Sequence, residues 1–217
     1  MPLTGHLLIF AEPEQKMKQH SFELVNPIPL PLSQLAPVPE LFTRHSPIHG
    51  QPHVSRVIIH TFILTKALGL EDYALKAWAA AYIHDLGRVD DGVSPEHGLY
   101  AVGKVQDNPE LKTLFEGCGV KEKDWTEIFF AVTHHCLEEV PLDHPCRTLT
   151  ALLKDADGLD RVRLGGLDPS FLRFPLSVSL IPYAWRLFRN TRDLAKPGQD
   201  YFEILWPVAR QLLQKET

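Results

Sequence analysis

The chain has 217 residues, 44% of them apolar and 23% charged, with a formal net charge of -5. That length is enough for one domain with its own core, and the composition is that of an ordinary globular protein. The negative balance argues against non-specific nucleic-acid binding, which wants a basic surface.

Residues 1–44 contain Pro27-Ile28-Pro29-Leu30-Pro31 and further prolines. Such a run favours extended backbone and forbids helix, so an N-terminal arm is expected there, lying on the domain or partly free. Leu7-Leu8-Ile9-Phe10 is too short for a signal-peptide core and has no basic segment before it. No apolar stretch reaches the roughly 20 residues that span a bilayer, so no membrane association is expected.

Helical patterns dominate from residue 50 onward. Pro52 suits a first helical position, Val54 to Leu68 continues the helix and Gly69 ends it. Glu71 to Leu86 reads as the second helix. Ser94-Pro95-Glu96 opens a third and Asn108-Pro109-Glu110 a fourth. Asp124 to His135 is the fifth, with Trp125, Ile128, Phe129 and Val132 at helical spacing. Thr148 to Val162 is the sixth, and 179–195 and 200–214 are two more, with a kink expected at Pro207. No strand pattern is visible, so the expected class is all-α. Cys118, Cys136 and Cys146 have neither zinc-ribbon nor paired spacing, which suggests reduced thiols and a cytoplasmic protein.

His84 and Asp85 end an alanine-rich apolar run from Ala79 to Ile83. A buried carboxylate beside an imidazole is costly unless something offsets it, and a metal ion does so. On the sixth helix Leu149, Leu153, Asp157 and Asp160 share one face. Asp157 is therefore expected to point inward, and Asp155 to project away. His53 lies in the first turn of its helix. His60 is seven residues, or about 10 Å, further along, too far to share an ion with it, and reads as a packing or hydrogen-bonded histidine. His49 reads as a loop histidine. His97 opens its helix after Pro95-Glu96. His134 and His135 point about 100° apart, and the wheel does not choose cleanly between them: His135 lies nearer Ile128 and Ala131, His134 nearer Glu127 and Phe130. Arg88 offers a fixed positive charge three residues after Asp85. Lys154 and Arg161 are expected on a solvated face.

These residues, in order, resemble the HD superfamily of metal-dependent phosphohydrolases. The matching pattern is His53, His84-Asp85, His97, His134, and Asp157 within Asp155-Ala156-Asp157-Gly158-Leu159-Asp160. A closer likeness is to an uncharacterised branch of that superfamily, through Ser46-Pro47-Ile48-His49-Gly50, His53, Arg56-Val57 and Asp91-Gly92-Val93-Ser94-Pro95-Glu96-His97-Gly98. The chain departs from that branch at Gly158 and at Arg163-Leu164-Gly165-Gly166. Thr133-His134-His135 also resembles the double histidine of the HD-GYP cyclic-dinucleotide phosphodiesterases, without the Gly-Tyr-Pro signature.

The resemblance implies an HD-type helical bundle over residues 45–217, with its core at 45–170 and extra helices at 171–217. It implies that His53, His84, Asp85 and Asp157 hold one metal, and that Asp85 bridges to a second held by His97 and by His134, chosen from motif position. Mixed imidazole and carboxylate ligation suits Mn, Fe, Co, Ni or Zn, with Mg also compatible. The implied activity is hydrolysis of a small phosphomonoester or phosphodiester, nucleotides included, with Asp85 and Arg88 in catalytic roles. Two other readings stand beside it: a di-iron oxygenase similar to myo-inositol oxygenase, which shares the ligand order, and a non-catalytic nucleotide-binding HD module, a kind that commonly loses ligands. Oligomeric state is not legible.

Overall fold

The computed structural model describes residues 23–194 and 200–214. The arm before residue 23, the end of the expected helix at 195 and the last three residues lie outside that range. Every regular element among the described residues is helical, as the periodicity predicts.

Helix α1 (Gln51–Ala67) forms the axis of the bundle. Val54 to Thr65 is buried without interruption, so this helix has no solvent face. It packs most heavily on α2 (Ala74–Ile83) and α6 (Arg147–Asp160). Ala77, Ala79, Ala80 and Ala81 of α2 are all buried, and their small side chains let neighbouring backbones approach closely. Helix α3 (His97–Gln106), α4 (Pro109–Gly117) and α5 (Asp124–His134) cover one side. The other side is closed by α7 (Pro175–Ser179), α8 (Ile181–Thr191) and α9 (Tyr201–Gln214).

The second helix is shorter than its sequence pattern. Glu71–Tyr73 is a 3-10 turn, and past Ile83 the chain tightens into turns with Leu86 N–H donating to the Ile83 carbonyl at 2.9 Å. His84 and Asp85 therefore stand at the point where α2 ends. Two glycines let other elements crowd this point. A β-carbon at Gly87 would collide with the Ala101 amide and the His97 carbonyl, and one at Gly98 with the Val132 carbonyl. The His-Asp turn can thus press against α3, and α3 against α5.

The helix expected over 179–195 is α8, which Pro182 opens near its first position, and a short helix that the sequence pattern does not predict, α7, precedes it from Pro175. Pro207 stands inside α9. The described part of the arm is packed: Leu24, Ile28, Leu35 and Phe42 are buried. The Trp78 indole N–H donates to the Leu35 carbonyl at 2.8 Å. Thr43 N–H and hydroxyl both donate to the Leu86 carbonyl, and Lys104 Nζ donates to the Leu41 carbonyl. The arm thereby braces the turn that carries Asp85. Asp155, expected to project outward, is fully buried and accepts the Arg173 and Phe174 amides at 2.9 Å, ordering the entry to α7. Lys154 is buried too, donating to the Leu137 and Glu138 carbonyls at 2.7 and 3.0 Å. Arg161 is exposed as expected.

Candidate metal centre

His53, near the start of α1, and His84, at the end of α2, are both buried with Nε2 atoms 3.2 Å apart. His97, opening α3, and His135, just past α5, are also buried, with Nε2 atoms 2.8 Å apart. In each of these rings the other nitrogen is already committed. His53 Nδ1 meets Asp160 Oδ2 at 2.8 Å, His84 Nδ1 the Ala81 carbonyl at 2.7 Å, and His135 Nδ1 the Val132 carbonyl at 2.6 Å. His97 Nδ1 meets the Ser94 carbonyl. A carbonyl or carboxylate oxygen accepts, so each Nδ1 carries the hydrogen and each Nε2 is left as a lone pair. Two facing lone pairs repel unless a positive charge lies between them, either a proton or a metal ion. Nδ1 anchored to an oxygen with Nε2 free is also how metal-binding histidines are commonly oriented.

Asp85 joins the two pairs. It is buried, with Oδ2 at 3.3 Å from His53 Nε2 and 3.5 Å from His84 Nε2. Its Oδ1 lies 3.2 Å from His97 Nε2 and 2.9 Å from Arg88 Nε. One carboxylate oxygen thus faces each histidine pair. Asp157 Oδ1 approaches His53 Nε2 at 3.3 Å, and with its side chain 26% exposed it lies at the open edge of the cluster.

The electrostatics follow from this crowding. Burial and Arg163 push His53 down, but Asp157, Asp160 and Asp85 outweigh them and raise it to about 9. Burial likewise opposes charge on His97, but its bond to Asp85 carries it up to about 10. Their facing partners go the other way: burial lowers His84, and burial with the neighbouring His84 and His97 lowers His135 to about 3. Each pair therefore holds one charged and one neutral ring when protons alone fill the gaps. Burial would raise Asp85, yet the surrounding His84, His53 and His97 hold it well below the usual carboxylate range. Asp157 is lowered in the same sense, its bond to His53 outweighing the burial that opposes it.

Behind His53 stands a second polar layer. Arg56 Nε and Nη2 donate to Asp160 at 2.6 and 3.0 Å, a buried two-pronged pair, and Arg56 Nη1 donates to the Tyr201 hydroxyl at 3.2 Å. The Tyr201 hydroxyl donates in turn to the Thr191 carbonyl at 3.0 Å. Helices α8 and α9 thus help aim a ring that α1 carries.

Of the residues singled out in the sequence, His53, His84, Asp85, His97 and Asp157 come together, with Arg88 against Asp85. His134 does not. Its Nδ1 meets the Phe130 carbonyl at 2.9 Å and its ring stacks on Phe130 at 3.9 Å between centroids. His135 takes the inward place because it continues the buried stripe of Ile128, Ala131 and Val132. Asp160 was visible on the Asp157 face but had no assigned task. His49, read as a loop residue, is buried beside the cluster, its ring 6.0 Å from that of His53 and its Nδ1 3.1 Å from Asp91. His60 is a packing histidine only: neither ring nitrogen has a hydrogen-bond partner among the described residues.

Comparison with protein-family models, curated proteins and solved structures returns no significant match. The class that the chain itself defines is an all-helical domain whose described residues bring buried imidazoles and carboxylates into groups that could hold a metal ion.

Proposed function

We propose that this protein is a metal-dependent phosphohydrolase of the HD type. The observation that carries the reading is the pair of facing imidazole couples, His53 with His84 and His97 with His135, with one oxygen of Asp85 turned to each. His53, His84, Asp85 and Asp157 would hold one ion, and His97 and His135 with Asp85 a second. His135 replaces His134 in the set that the family resemblance implies. The donor set is nitrogen and carboxylate oxygen, which suits Mn, Fe, Co, Ni or Zn. Two such ions supply an activated water and neutralise charge on a phosphoryl group.

The protein's own part is to orient and to exclude. Asp160 and three backbone carbonyls fix the ring orientations. Asp157 and Arg88, with side chains 26% and 16% exposed, mark where the cluster opens. Arg88 puts a guanidinium at that opening, and this favours an anionic ligand such as a small phosphate ester, nucleotides included.

The test is metal analysis of untagged protein followed by a screen of phosphomonoesters and phosphodiesters with Mn, Ni, Co and Mg. Turnover that requires one of these ions supports the reading. Oxygen consumption by an iron-loaded protein that cleaves no ester would replace it with an oxygenase. Metal binding without turnover of any kind would replace it with a binding module.

A further inference from the structure

We infer that Cys136 is a further protein ligand of the second ion, beside His97, His135 and the shared Asp85, so that this site is a mixed imidazole, carboxylate and thiolate site rather than a second copy of the first. The inference rests on the dinuclear reading above and deepens it.

Three side chains, His97, His135 and Cys136, place one ligand atom each within 4.8 Å of the others. The two nitrogens have an independent reason to attract a cation. Both rings are buried, both Nδ1 atoms are held by backbone carbonyls, and the free Nε2 atoms face each other at 2.8 Å. A neutral site of this geometry would leave two lone pairs in conflict. Cys136 reaches the same place because it follows His135 directly and its thiol donates to the Pro95 carbonyl at 3.2 Å, two residues before His97. The loop that carries it is held from the other side by Lys154, which donates to the Leu137 and Glu138 carbonyls.

The first site differs in kind. His53, His84 and Asp85 form its cluster, with no sulfur among them. Sulfur is a softer donor than nitrogen or oxygen, so the second site should prefer Zn, Co or Fe over Mn and Mg, while the first should accept the harder ions. Binding replaces the S–H hydrogen by the metal, and the proton leaves to solvent or buffer. The Pro95 carbonyl loses its donor in that step. Cys136 is also exposed, whereas Cys118 and Cys146 are buried. An occupied second site should therefore shield the one thiol that reagents reach readily.

The experiment uses the full-length protein, stripped of metal and titrated with Co(II) alone. A thiolate bound to Co(II) gives a near-ultraviolet charge-transfer absorption that nitrogen and oxygen ligands do not. The expected result is two Co(II) per chain, with this absorption growing in step with one of them. Cys136→Ser should abolish the band and weaken that ion by at least the roughly tenfold that losing even an outer partner costs, leaving the other ion in place. Helical circular dichroism checks that the variant is folded. In wild type, Co(II) or Zn(II) should slow iodoacetamide alkylation of Cys136, identified by peptide mass. Two bound Co(II) with no thiolate band, or a band that persists in Cys136→Ser, overturns the inference and leaves the dinuclear reading standing. One bound Co(II) without the band removes the second site altogether. No Co(II) binding overturns both the inference and the reading on which it rests.

Discussion

Asp85 and His97 meet at 3.2 Å through Oδ1, while Oδ2 of the same carboxylate lies 3.3 Å from His53. A single buried side chain thus touches both halves of the cluster. If metal is held there, Asp85 is the group shared between the ions. Replacing Asp85 with Ala should then remove both ions together, not one. Elemental analysis after dialysis reads this directly, and a variant that retains its full metal content would show the bridge to be wrong.

His134 and His135 are neighbours in sequence with opposite surroundings. His135→Ala should leave about one ion per chain and a folded protein, with hydrolytic turnover lowered by the 10- to 100-fold or more that disturbing a metal centre costs. His134→Ala, which loses only a stack on Phe130 and a bond to its carbonyl, should keep both ions and near-normal turnover. Metal content and rate measured side by side distinguish the two positions, and the opposite pattern would return the ligand to His134.

Metal should stabilise the fold if the proposed site holds it, since the proposed ligands come from α1, the end of α2, α3, the end of α5 and α6. At 100 times the dissociation constant the gain for one site is about 2.7 kcal/mol. Denaturant midpoints with and without chelator measure it. An unchanged midpoint, with metal loss confirmed, would show that the ligands are held equally well without an ion.

Asp160 should matter to stability as much as to the site. It is fully buried between His53 and Arg56. Asp160→Ala leaves the Arg56 guanidinium buried without its carboxylate, a change worth about 3–5 kcal/mol. It also frees the His53 ring to turn. A urea midpoint close to wild type would show that Arg56 finds another partner.

His60 gives a pH test away from the proposed metal ligands. Burial lowers it to about 4, against an ordinary value of 6.5. An unfolded chain takes up that proton as pH falls through 6.5, while the folded chain resists until about 4. Stability from the neutral ring is therefore intact above 6.5 and is lost as pH falls from 6.5 to 4, by at most about 3 kcal/mol. In His60→Leu this loss should vanish, so the difference between urea midpoints at pH 7 and pH 4.5 should narrow. Equal differences in variant and wild type would mean that His60 does not drive the acid limb.

Much of the architecture was legible from local pattern. The burial of α1 follows from an apolar run opened by Pro52, and the start of α4 from Asn108-Pro109, where the Asn108 side chain accepts the Glu110 and Leu111 amides at 3.1 and 3.2 Å. The inward side of α6 could be read from Leu149, Leu153 and Asp160. The helical wheel left His134 and His135 open and motif position favoured His134, so it was the packing of α5 that decided which ring enters the core.

By itself the sequence determined the helical class and the approximate place of most helices, because spacing along one helix is a local property. It also set the chemical kinds available: imidazoles, carboxylates and one thiol near His135. Tertiary structure alone decided which of these meet. His53 and Asp160 are 107 residues apart and His97 and His135 are 38 apart, so their contacts depend on how whole helices pack. The same packing buried Asp155, Lys154 and His49, which local pattern had placed on a surface or in a loop. The physical reason is that burial and contact belong to the interface between elements, and Gly87 and Gly98 allow the close approaches that bring the two imidazole pairs to either side of Asp85.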